Sequence, residues 1–450
     1  MENDVFEVPH VKAWHGAELV ASPSKSYSHR VFIISMLADG RTIAHNILDQ
    51  GDVYQTVKFC RLMGAQVNKI DNKTKTYEII GPKSLKPPRE PIDCSNSGTS
   101  IRIIAALSAL FESPISIYGE FFRRGRPMDP LLDALQQIGV VNEKFQFGDS
   151  PCIKIIPGQL KLQPIKIAGN ISSQFITGLL IMTPLLKPQG GIKEIDIQIT
   201  TELKSASYLD ITLEVMKQFK VMAYKVEDPN THLVSFKIPL GQKYIAQEFT
   251  VPGDFSSAAF PISFAALKAN ISPPNGITQP IIIKNLDFNN PQPDKAIIPL
   301  LQQMGANITI EKNEILIFPN GRLHGITIDQ SQIPDLFPIL ATISVFCEGQ
   351  TKIIHAEHVR IKETDRIKVM VRELTRMGAT IKENPDGIEV YGAQKLHAIR
   401  VKHDEDHRVA MSLIIASAFI DNNNENSIIP HPNVVADSYP DFISDFLTLI

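Results

Sequence analysis

The sequence predicts an α/β protein made of two similar domains. Two observations lead to this prediction. A helix followed by a strand recurs at a spacing of roughly 75 to 85 residues, and six clusters of polar residues each precede a strongly apolar helix. Three copies lie before about Gln247 and three after it, so we expect the domains to join near Gln247 to Pro252, with an active cleft between them.

The recurring helices are amphipathic, and most of them stop at a glycine that leads into a strand. The segments that end in glycine are 56–64, 131–139, 296–305 and 369–378. Glycine at the end of a helix suits a left-handed cap, which residues with side chains adopt at higher cost. A fifth copy, 209–219, lacks the glycine, and a sixth begins at Pro440 and Asp441.

The polar clusters stand where six further helices should begin, and these helices are apolar nearly all round, which predicts burial. The clusters are 28–30, 97–100, 172–174, 254–257, 334–335 and 406–408. Helix starts expose unpaired N–H groups and a partial positive charge, so six converging starts would form a strong anion site. The alternative is that the clusters are simple N-caps, which need no lysine, arginine, glutamine or histidine.

Composition excludes several classes of protein. The chain has 450 residues, of which 43% are hydrophobic, and a formal net charge of only -3, so a basic surface for nucleic acid is not expected. Its cysteines are far apart and form no CxxC pair, which indicates neither a zinc site nor a disulfide framework. With no leader-like segment and no apolar run of membrane-spanning length, we expect a cytoplasmic protein that binds no membrane.

Cations and titratable groups are concentrated in a few motifs. Lys25 and Arg30 share one helix start with three serines, residues 96–102 form a small-residue turn suited to an oxyanion, and residues 123–128 hold three arginines. Residues 359–366 alternate cations and carboxylates. Charge runs are usually solvated surfaces, but carboxylates beside cations are also the usual groups for proton transfer.

Nine motifs in order make the chain resemble the EPSP synthases over essentially its whole length. They are SKSYSHR, NSGTSIR, RGRPM, SSQFITGLL, the SxxYxDIT form of 205–212, GDFSSAAF, IPD, VRIKETDR and DHRVAM. The resemblance implies an enolpyruvyl transferase fold, an inside-out α/β barrel in which each domain has three βαβαββ repeats around buried parallel helices. It places domain 1 at 21–249, on the shikimate 3-phosphate side. Domain 2, at 1–20 and 250–450, is the phosphoenolpyruvate and proton-transfer side.

The resemblance also implies the substrates and the roles of individual residues. The enolpyruvyl group of phosphoenolpyruvate would pass to shikimate 3-phosphate, on the route to chorismate and aromatic amino acids, without metal or cofactor and in a monomer. Shikimate 3-phosphate would be bound by Lys25, Ser26, Arg30, Ser172, Ser173, Gln174, Ser205, Tyr208, Asp335 and Lys362. Phosphoenolpyruvate would be bound by Lys25, Gly98, Arg126, Gln174, Arg366 and Arg408. The catalytic residues would be Asp335, Glu363, Lys25 and His407.

Some positions depart from the family pattern. Asp437 stands where a lysine is usual, which puts affinity for phosphoenolpyruvate or the rate in question. Gly51 replaces the first of a usual Asp pair, Ser207 replaces a proline, and Pro293 interrupts a usual Gln-Gly-Asp turn. Two rivals stay open. One is the sister enzyme that uses UDP-N-acetylglucosamine, disfavoured because the loop at 119–128 lacks its usual cysteine, and the other is a non-catalytic anion-binding paralogue.

Overall fold

The chain divides into two compact units, each with a hydrophobic core of its own. A computed structural model describes residues 4–269, 276, 278–319, 322–392, 395–420 and 425–450. The central unit is Lys25–Val251, and the terminal unit combines Met1–Ser24 with Pro252–Ile450. The chain therefore enters the central unit once and leaves it once.

Helices and strands alternate along the chain, as the repeat predicts. The α-helices are α1 (Lys25–Leu37), α2 (Asp52–Leu62), α3 (Gly98–Leu107), α4 (Glu120–Arg123), α5 (Asp129–Gln137), α6 (Ser173–Met182), α7 (Ser207–Gln218), α8 (Phe255–Lys268), α9 (Ile297–Met304), α10 (Phe337–Phe346), α11 (Arg366–Arg376), α12 (His407–Ala418) and α13 (Phe442–Leu449). The strands are β1 (Val5–Glu7), β2 (Ala17–Val20), β3 (Arg41–His45), β4 (Gln66–Asp71), β5 (Thr76–Ile80), β6 (Ile92–Asp93), β7 (Ile115–Tyr118), β8 (Val141–Phe147), β9 (Ser150–Ile156), β10 (Ile165–Ile167), β11 (Glu194–Ile199), β12 (Tyr224–Glu227), β13 (Val234–Pro239), β14 (Glu248–Thr250), β15 (Ile281–Lys284), β16 (Ile308–Glu311), β17 (Glu314–Ile317), β18 (Thr327–Asp329), β19 (Gln350–Ile354), β20 (Thr380–Asn384), β21 (Gly387–Tyr391) and β22 (Ile428–Pro430).

Among the described residues, five four-stranded sheets share one topology, and this topology confirms the βαβαββ repeat. In the sheet ordered β6-β7-β9-β8, the first pair of strands is parallel and the other two pairs are antiparallel. The other four sheets repeat this arrangement, in the orders β14-β3-β5-β4, β10-β11-β13-β12, β2-β15-β17-β16 and β18-β19-β21-β20. In three of these sheets, a helix connects the two parallel strands directly along the chain. In the sheets that begin with β14 and β2, the first strand comes from a distant part of the chain.

The first strands of two repeats are exchanged where the chain passes from one unit to the other. Strand β2 precedes α1 of the central unit, yet it pairs in parallel with β15 of the terminal unit. Strand β14 precedes α8 of the terminal unit, yet it pairs in parallel with β3 of the central unit. Each crossing segment therefore completes a sheet in the unit that the chain is leaving.

The sixth repeat is completed by the N-terminal strand. Strand β22 pairs antiparallel with β1, and a parallel bridge joins Arg400 to Ile428 on its other side. The succession of bridge, β22 and β1 corresponds to the first three positions of the other sheets. Strand β1 thus occupies the third position in the sheet of the sixth repeat.

The predicted glycine caps are confirmed by their backbone angles. Gly64, Gly139, Gly305 and Gly378 all have φ between 93° and 111°. In the copy that lacks glycine, Lys220 adopts the left-handed conformation with φ of 66° after α7. A residue with a side chain therefore bears the conformational cost that glycine avoids in the other copies.

The six apolar helices are buried along almost their whole length, as predicted. The N-cap alternative is also correct for several clusters: the side chains of Ser97, Ser172, Asp254 and Asp406 accept hydrogen bonds from the first turns of their helices. One prediction needs correction, because α1 begins at Lys25 and the 28–30 cluster lies inside it rather than before it.

Candidate active site

Lys25 is the first residue of α1 in the central unit, and a carboxylate holds its ammonium group. Lys25 Nζ lies 2.9 Å from Asp52 Oδ2, and both side chains are mostly buried. Asp52 begins α2 directly after Gly51, whose φ of 55° is one that glycine adopts readily. The glycine that replaces the family's usual aspartate therefore serves a turn that presents the remaining one to Lys25.

Arg30 lies inside the central unit rather than at its surface. Its guanidinium donates to Thr212 Oγ1 at 2.8 Å, to Thr177 Oγ1 at 3.2 Å and to the carbonyl oxygens of Tyr208 and Ser26. All four acceptors are neutral, and burial lowers the pKa of Arg30 to about 10. Arg30 thus joins α1 to α6 and α7 through three of its five N–H donors, and a fourth binds within α1 itself.

Arg102 belongs to the motif NSGTSIR, but no role was assigned to it from the sequence. In the structure it organises the starts of α3 and α6. Its guanidinium lies between the rings of Phe121 and Phe175, at 5.0 and 4.7 Å from their centroids. It donates to Ser172 Oγ at 3.3 Å and to Gln174 Oε1. Two aromatic faces and two polar acceptors therefore fix the predicted binding residues Ser172 and Gln174 beside α3.

Gly98 and Arg126 are in close contact at the N-terminus of α3. Arg126 Nη1 donates to the carbonyl oxygen of Asn96 at 2.8 Å, and its guanidinium lies 4.8 Å from the centroid of Phe121. A Cβ atom on residue 98 would lie 2.7 Å from Arg126 Nη2. Glycine is therefore the residue that lets this guanidinium lie against the helix start, where N–H groups favour an anion.

The remaining predicted residues of the central unit lie at helix starts. Ser173 is the first residue of α6, and Ser26 is the second of α1. Ser205 is buried with φ of 57°, and its carbonyl oxygen accepts a hydrogen bond from the Tyr208 N–H group. Ser207, where the family has a proline, is the first residue of α7, a position that proline also suits.

The terminal unit contains a cluster of arginines and carboxylates, which we call the arginine–carboxylate cluster. Arg366, 1% exposed, donates to Asp335 Oδ1 at 2.9 Å, to Glu363 Oε2 at 2.8 Å and to Asp406 Oδ2 at 2.9 Å. Arg408 Nη2 lies 3.1 Å from Asp335 Oδ2. The five members are Asp335, Glu363, Arg366, Asp406 and Arg408. The sequence predicted four of them, and Asp406 was missed because its position indicated only a cap.

Asp335 is ionised in this cluster. Burial acts to raise its pKa, but the charges of Arg408, Arg366 and Lys362 outweigh burial and lower the pKa well below the ordinary range. The same carboxylates raise the pKa of Arg366 although burial opposes them. Cations and anions therefore stabilise one another's charged forms, and an anion that competes for the arginines would raise the proton affinity of Asp335.

Another buried carboxylate, Asp294, escaped prediction. It lies in the short 3₁₀ helix Pro293–Ala296, where Pro293 takes the first position, and it accepts a hydrogen bond from Ser256 Oγ in the first turn of α8. Burial, followed by the charge of Asp335, raises its pKa to about 7. The sequence signal was Gln292-Pro293-Asp294 itself, where only the proline that interrupts a usual Gln-Gly-Asp turn was noted.

Two further positions are His407, a predicted catalytic residue, and Asp437, which departs from the family pattern. His407 is the first residue of α12 and is buried. Asp437 ends the 3₁₀ helix Pro432–Asp437, and the carbonyl oxygen of the next residue, Ser438, accepts a hydrogen bond from Ser257 Oγ in the first turn of α8. The unusual acidic residue thus belongs to a segment that is hydrogen-bonded to α8 near the start of that helix.

The described residues contain neither a metal-binding group nor a membrane-spanning helix. In this part of the chain, no group of three or more His, Cys, Asp and Glu side chains is arranged to hold a metal ion. None of its helices combines the length and apolar character needed to cross a membrane. The four cysteines are buried and free.

Comparison with known proteins gives consistent matches over almost the whole chain. The family model described as EPSP synthase (3-phosphoshikimate 1-carboxyvinyltransferase) matches residues 15–446. A 3-phosphoshikimate 1-carboxyvinyltransferase of Methanococcus vannielii is 37% identical over 426 residues, 94% of each chain. The structure of an EPSP synthase from Acinetobacter baumannii matches with a TM-score of 0.76 at 25% identity, covering 99% of this chain and 98% of the other. The enolpyruvyl transferase NikO from Streptomyces tendae shares the fold with a TM-score of 0.75 at 16% identity, covering 99% and 97% of the two chains.

Proposed function

The chain belongs to the EPSP synthase family, and from this premise we propose that it transfers the enolpyruvyl group of phosphoenolpyruvate to the 5-hydroxyl of shikimate 3-phosphate. The products are 5-enolpyruvylshikimate 3-phosphate and phosphate, in the pathway to chorismate and the aromatic amino acids. The observation that carries the proposal most directly is the arginine–carboxylate cluster, because it combines cations for an acidic substrate with carboxylates for proton transfer.

The reaction proposed for this site is addition followed by elimination. The 5-hydroxyl oxygen attacks C2 of phosphoenolpyruvate while C3 gains a proton, and the hydroxyl proton passes to a base. The tetrahedral intermediate then loses phosphate from C2 and a proton from C3, which restores the double bond. We assign the hydroxyl proton to Asp335 and the proton at C3 to Glu363, and His407 has an orienting or relaying role.

The low pKa of Asp335 fits its role as base only when a substrate is bound. Arg366 and Arg408 hold Asp335 in its ionised form, which makes it a weak proton acceptor. When the phosphate and carboxylate of phosphoenolpyruvate engage the same arginines, their effect on Asp335 is partly neutralised and its proton affinity rises. Substrate binding would thus bring the base toward the working range.

The remaining binding assignments follow the family pattern. For shikimate 3-phosphate we propose Lys25, Ser26, Arg30, Ser172, Ser173, Gln174, Ser205, Tyr208, Asp335 and Lys362. For phosphoenolpyruvate we propose Lys25, Gly98, Arg126, Gln174, Arg366 and Arg408. Arg30 acts mainly by fixing α1 against α6 and α7, because most of its donors bind neutral protein oxygens. We further propose that the protein acts as a cytoplasmic monomer.

The deciding experiment is steady-state phosphate release from phosphoenolpyruvate with each acceptor offered in turn. We expect release with shikimate 3-phosphate and none with UDP-N-acetylglucosamine. Release only with the nucleotide sugar would assign the sister activity. Binding of both shikimate 3-phosphate and phosphoenolpyruvate without any release would identify a non-catalytic paralogue and contradict the proposal.

The same assay with Asp437→Lys measures the effect of the unusual acidic residue. A lysine would remove a negative charge and add a positive one at a position where the family usually has a cation. We expect the KM for phosphoenolpyruvate to fall in this variant, because less repulsion opposes the anion. Asp441→Lys, a change of the same charge at an exposed residue nearby, is the matched control.

A further inference from the structure

Asp294 is a fully buried carboxylate that none of the assigned roles uses. Its Oδ2 accepts a hydrogen bond from Ser256 Oγ, and Ser256 is the second residue of α8. The 3₁₀ helix that contains Asp294 and the 3₁₀ helix Pro334–Leu336 that contains Asp335 both pack against α8. Asp294 and the segment that presents Asp335 are therefore held by the same helix, and the charge of Asp335 acts on Asp294.

The charges around Asp294 differ from those around Asp335. Arg408 favours the ionised form of Asp294, and so does the hydrogen bond from Ser256. Burial and the negative charges of Asp335 and Asp254 oppose it more strongly, so the pKa lies at about 7. Asp254 already occupies the N-cap of α8, where its carboxylate binds the N–H groups of Ser256 and Ser257. The start of α8 thus already carries one capping carboxylate, and the negative charge of this carboxylate opposes ionisation of Asp294.

We propose that Asp294 is a positioning residue whose proton sets the net charge that the arginine–carboxylate cluster presents to an anionic substrate. With the proton, Asp294 is neutral and adds no negative charge to the cluster. Without the proton, an added negative charge opposes the anion. The inference deepens the proposed function and rests on it for the identity of that anion, phosphoenolpyruvate.

Linkage fixes the sign of the effect. An anion binds more tightly to the form of the site in which Asp294 is neutral, so binding draws a proton onto Asp294 and affinity falls as pH rises through about 7. Phosphoenolpyruvate also titrates in this range. Its own titration is the same for every variant, so it cancels when the KM of the wild type is divided by the KM of a variant.

The kinetic test compares the wild type with Asp294→Asn, which keeps the shape and an acceptor for Ser256 but cannot ionise. We expect the ratio of KM for phosphoenolpyruvate, wild type over variant, to rise about fivefold between pH 6 and pH 8.5. The control Glu311→Gln, which neutralises an exposed carboxylate of the same unit, should give a ratio that does not change with pH. A constant ratio for Asp294→Asn would overturn the inference.

A second variant separates electrostatics from a structural role. Ser256→Ala removes a hydrogen bond that lowers the pKa of Asp294, so the pH at which its KM changes should move upward relative to the wild type. A general loosening of the site would not shift the midpoint in this direction. An unchanged or lower midpoint contradicts the proposal.

A measurement without turnover distinguishes failure of this inference from failure of the proposed function. In protein labelled with carbon-13 at aspartate carboxyls, the wild type should show a carboxyl resonance that titrates near pH 7 and is missing from Asp294→Asn. If that resonance is present but adding phosphoenolpyruvate does not move its midpoint upward, binding of this anion is not linked to the proton on Asp294, and the inference fails. If no aspartate resonance titrates between pH 5.5 and 8.5, Asp294 does not hold a proton and the inference fails.

Discussion

Arg366 is the residue whose environment is hardest to explain by stability alone. Removing a guanidinium from water costs several kcal/mol, and ion-pair partners offset this cost only when their geometry is good. Three carboxylates surround it at 2.8 to 2.9 Å, more than one cation needs. Such an excess of buried charge is costly for the fold, and it is the arrangement expected where protons and an acidic substrate are handled.

Glu363→Gln tests the proton-transfer assignment. The amide keeps an oxygen for Arg366 but cannot exchange a proton, so we expect kcat to fall about a hundredfold or more. The KM values should change much less, since Asp335 and Asp406 still hold Arg366. Steady-state kinetics checks this, with Glu311→Gln as the control. Near-normal turnover would remove Glu363 from the mechanism.

Gly98→Ala tests the contact between α3 and Arg126. The new methyl group would lie 2.7 Å from Arg126 Nη2 in the present arrangement, so the guanidinium must move. Loss of one charge-assisted contact to an anion corresponds to about a tenfold increase in the KM for phosphoenolpyruvate. The KM for shikimate 3-phosphate should stay close to its original value. Equal increases in both would show that the substitution disturbs the unit as a whole.

His29 makes the stability of the central unit depend on pH. Burial, then the charges of Lys25 and Arg30, hold its pKa well below 6.5, while His29 Nδ1 contacts Thr56 Oγ1 at 2.7 Å. The unfolded chain gains a proton below pH 6.5 that the folded chain does not, so the stability is fully present above that pH and is lost as pH falls.

Between pH 7 and 5.5 we expect the wild type to lose about 1 kcal/mol more of unfolding free energy than His29→Asn, because the variant cannot gain this proton. Chemical denaturation at several pH values gives the comparison. Parallel pH profiles for the two proteins would show that His29 is not held neutral.

At the scale of elements, the segment 362–365 is anchored to a hairpin by one arginine. Arg360 makes two contacts with Asp365, at 3.0 and 3.2 Å, and one with Glu383 at 2.8 Å. It also donates to the carbonyl oxygens of Asn384, the last residue of β20, and of Pro385 in the turn that leads to β21. Asp365 in turn caps α11. The charge run in VRIKETDR is therefore partly structural, and its structural part positions Lys362 and Glu363.

Arg360→Lys should loosen this anchor without changing the charge. Lysine lacks the planar fork that makes several directed contacts, so we expect a loss of about 1–2 kcal/mol in unfolding free energy and a fall in kcat. Arg322→Lys, the same change at an exposed arginine of the terminal unit, should affect neither. An unchanged kcat in Arg360→Lys would mean that the anchor does not position Glu363.

Helix ends were predictable where the signal is local. Glycine caps and N-caps depend on the conformation of a few neighbouring residues, and Gly305 or Ser97 could be identified without knowledge of the fold. The start of α1 was placed too late, because Lys25 to Arg30 is polar and the apolar pattern begins only at Val31. Asp294 was missed for a related reason: burial beside α8 depends on the tertiary structure, which no local pattern records.

At the scale of the whole molecule, the sixfold repeat gave the architecture but not its exceptions. The repeat predicts a strand before each buried helix, and it cannot tell that β2 and β14 pair within the unit that the chain is leaving. Nor does it show that β1 pairs with β22. These pairings join strands of three to five residues that are far apart in sequence, so they depend on the fold and carry no local signal.

The proposed reaction requires that C3 of phosphoenolpyruvate gains a proton and that the resulting methyl group later loses one, and the mass of the product formed in deuterium oxide tests this directly. Protonation from solvent makes C3 a methyl group with two hydrogens and one deuterium, and elimination removes any one of the three, so most product molecules keep deuterium in the vinyl group. We expect this label in the product of the wild type, and labelled product should form far more slowly with Glu363→Gln. Rapid formation of product without any deuterium would contradict addition and elimination at this site.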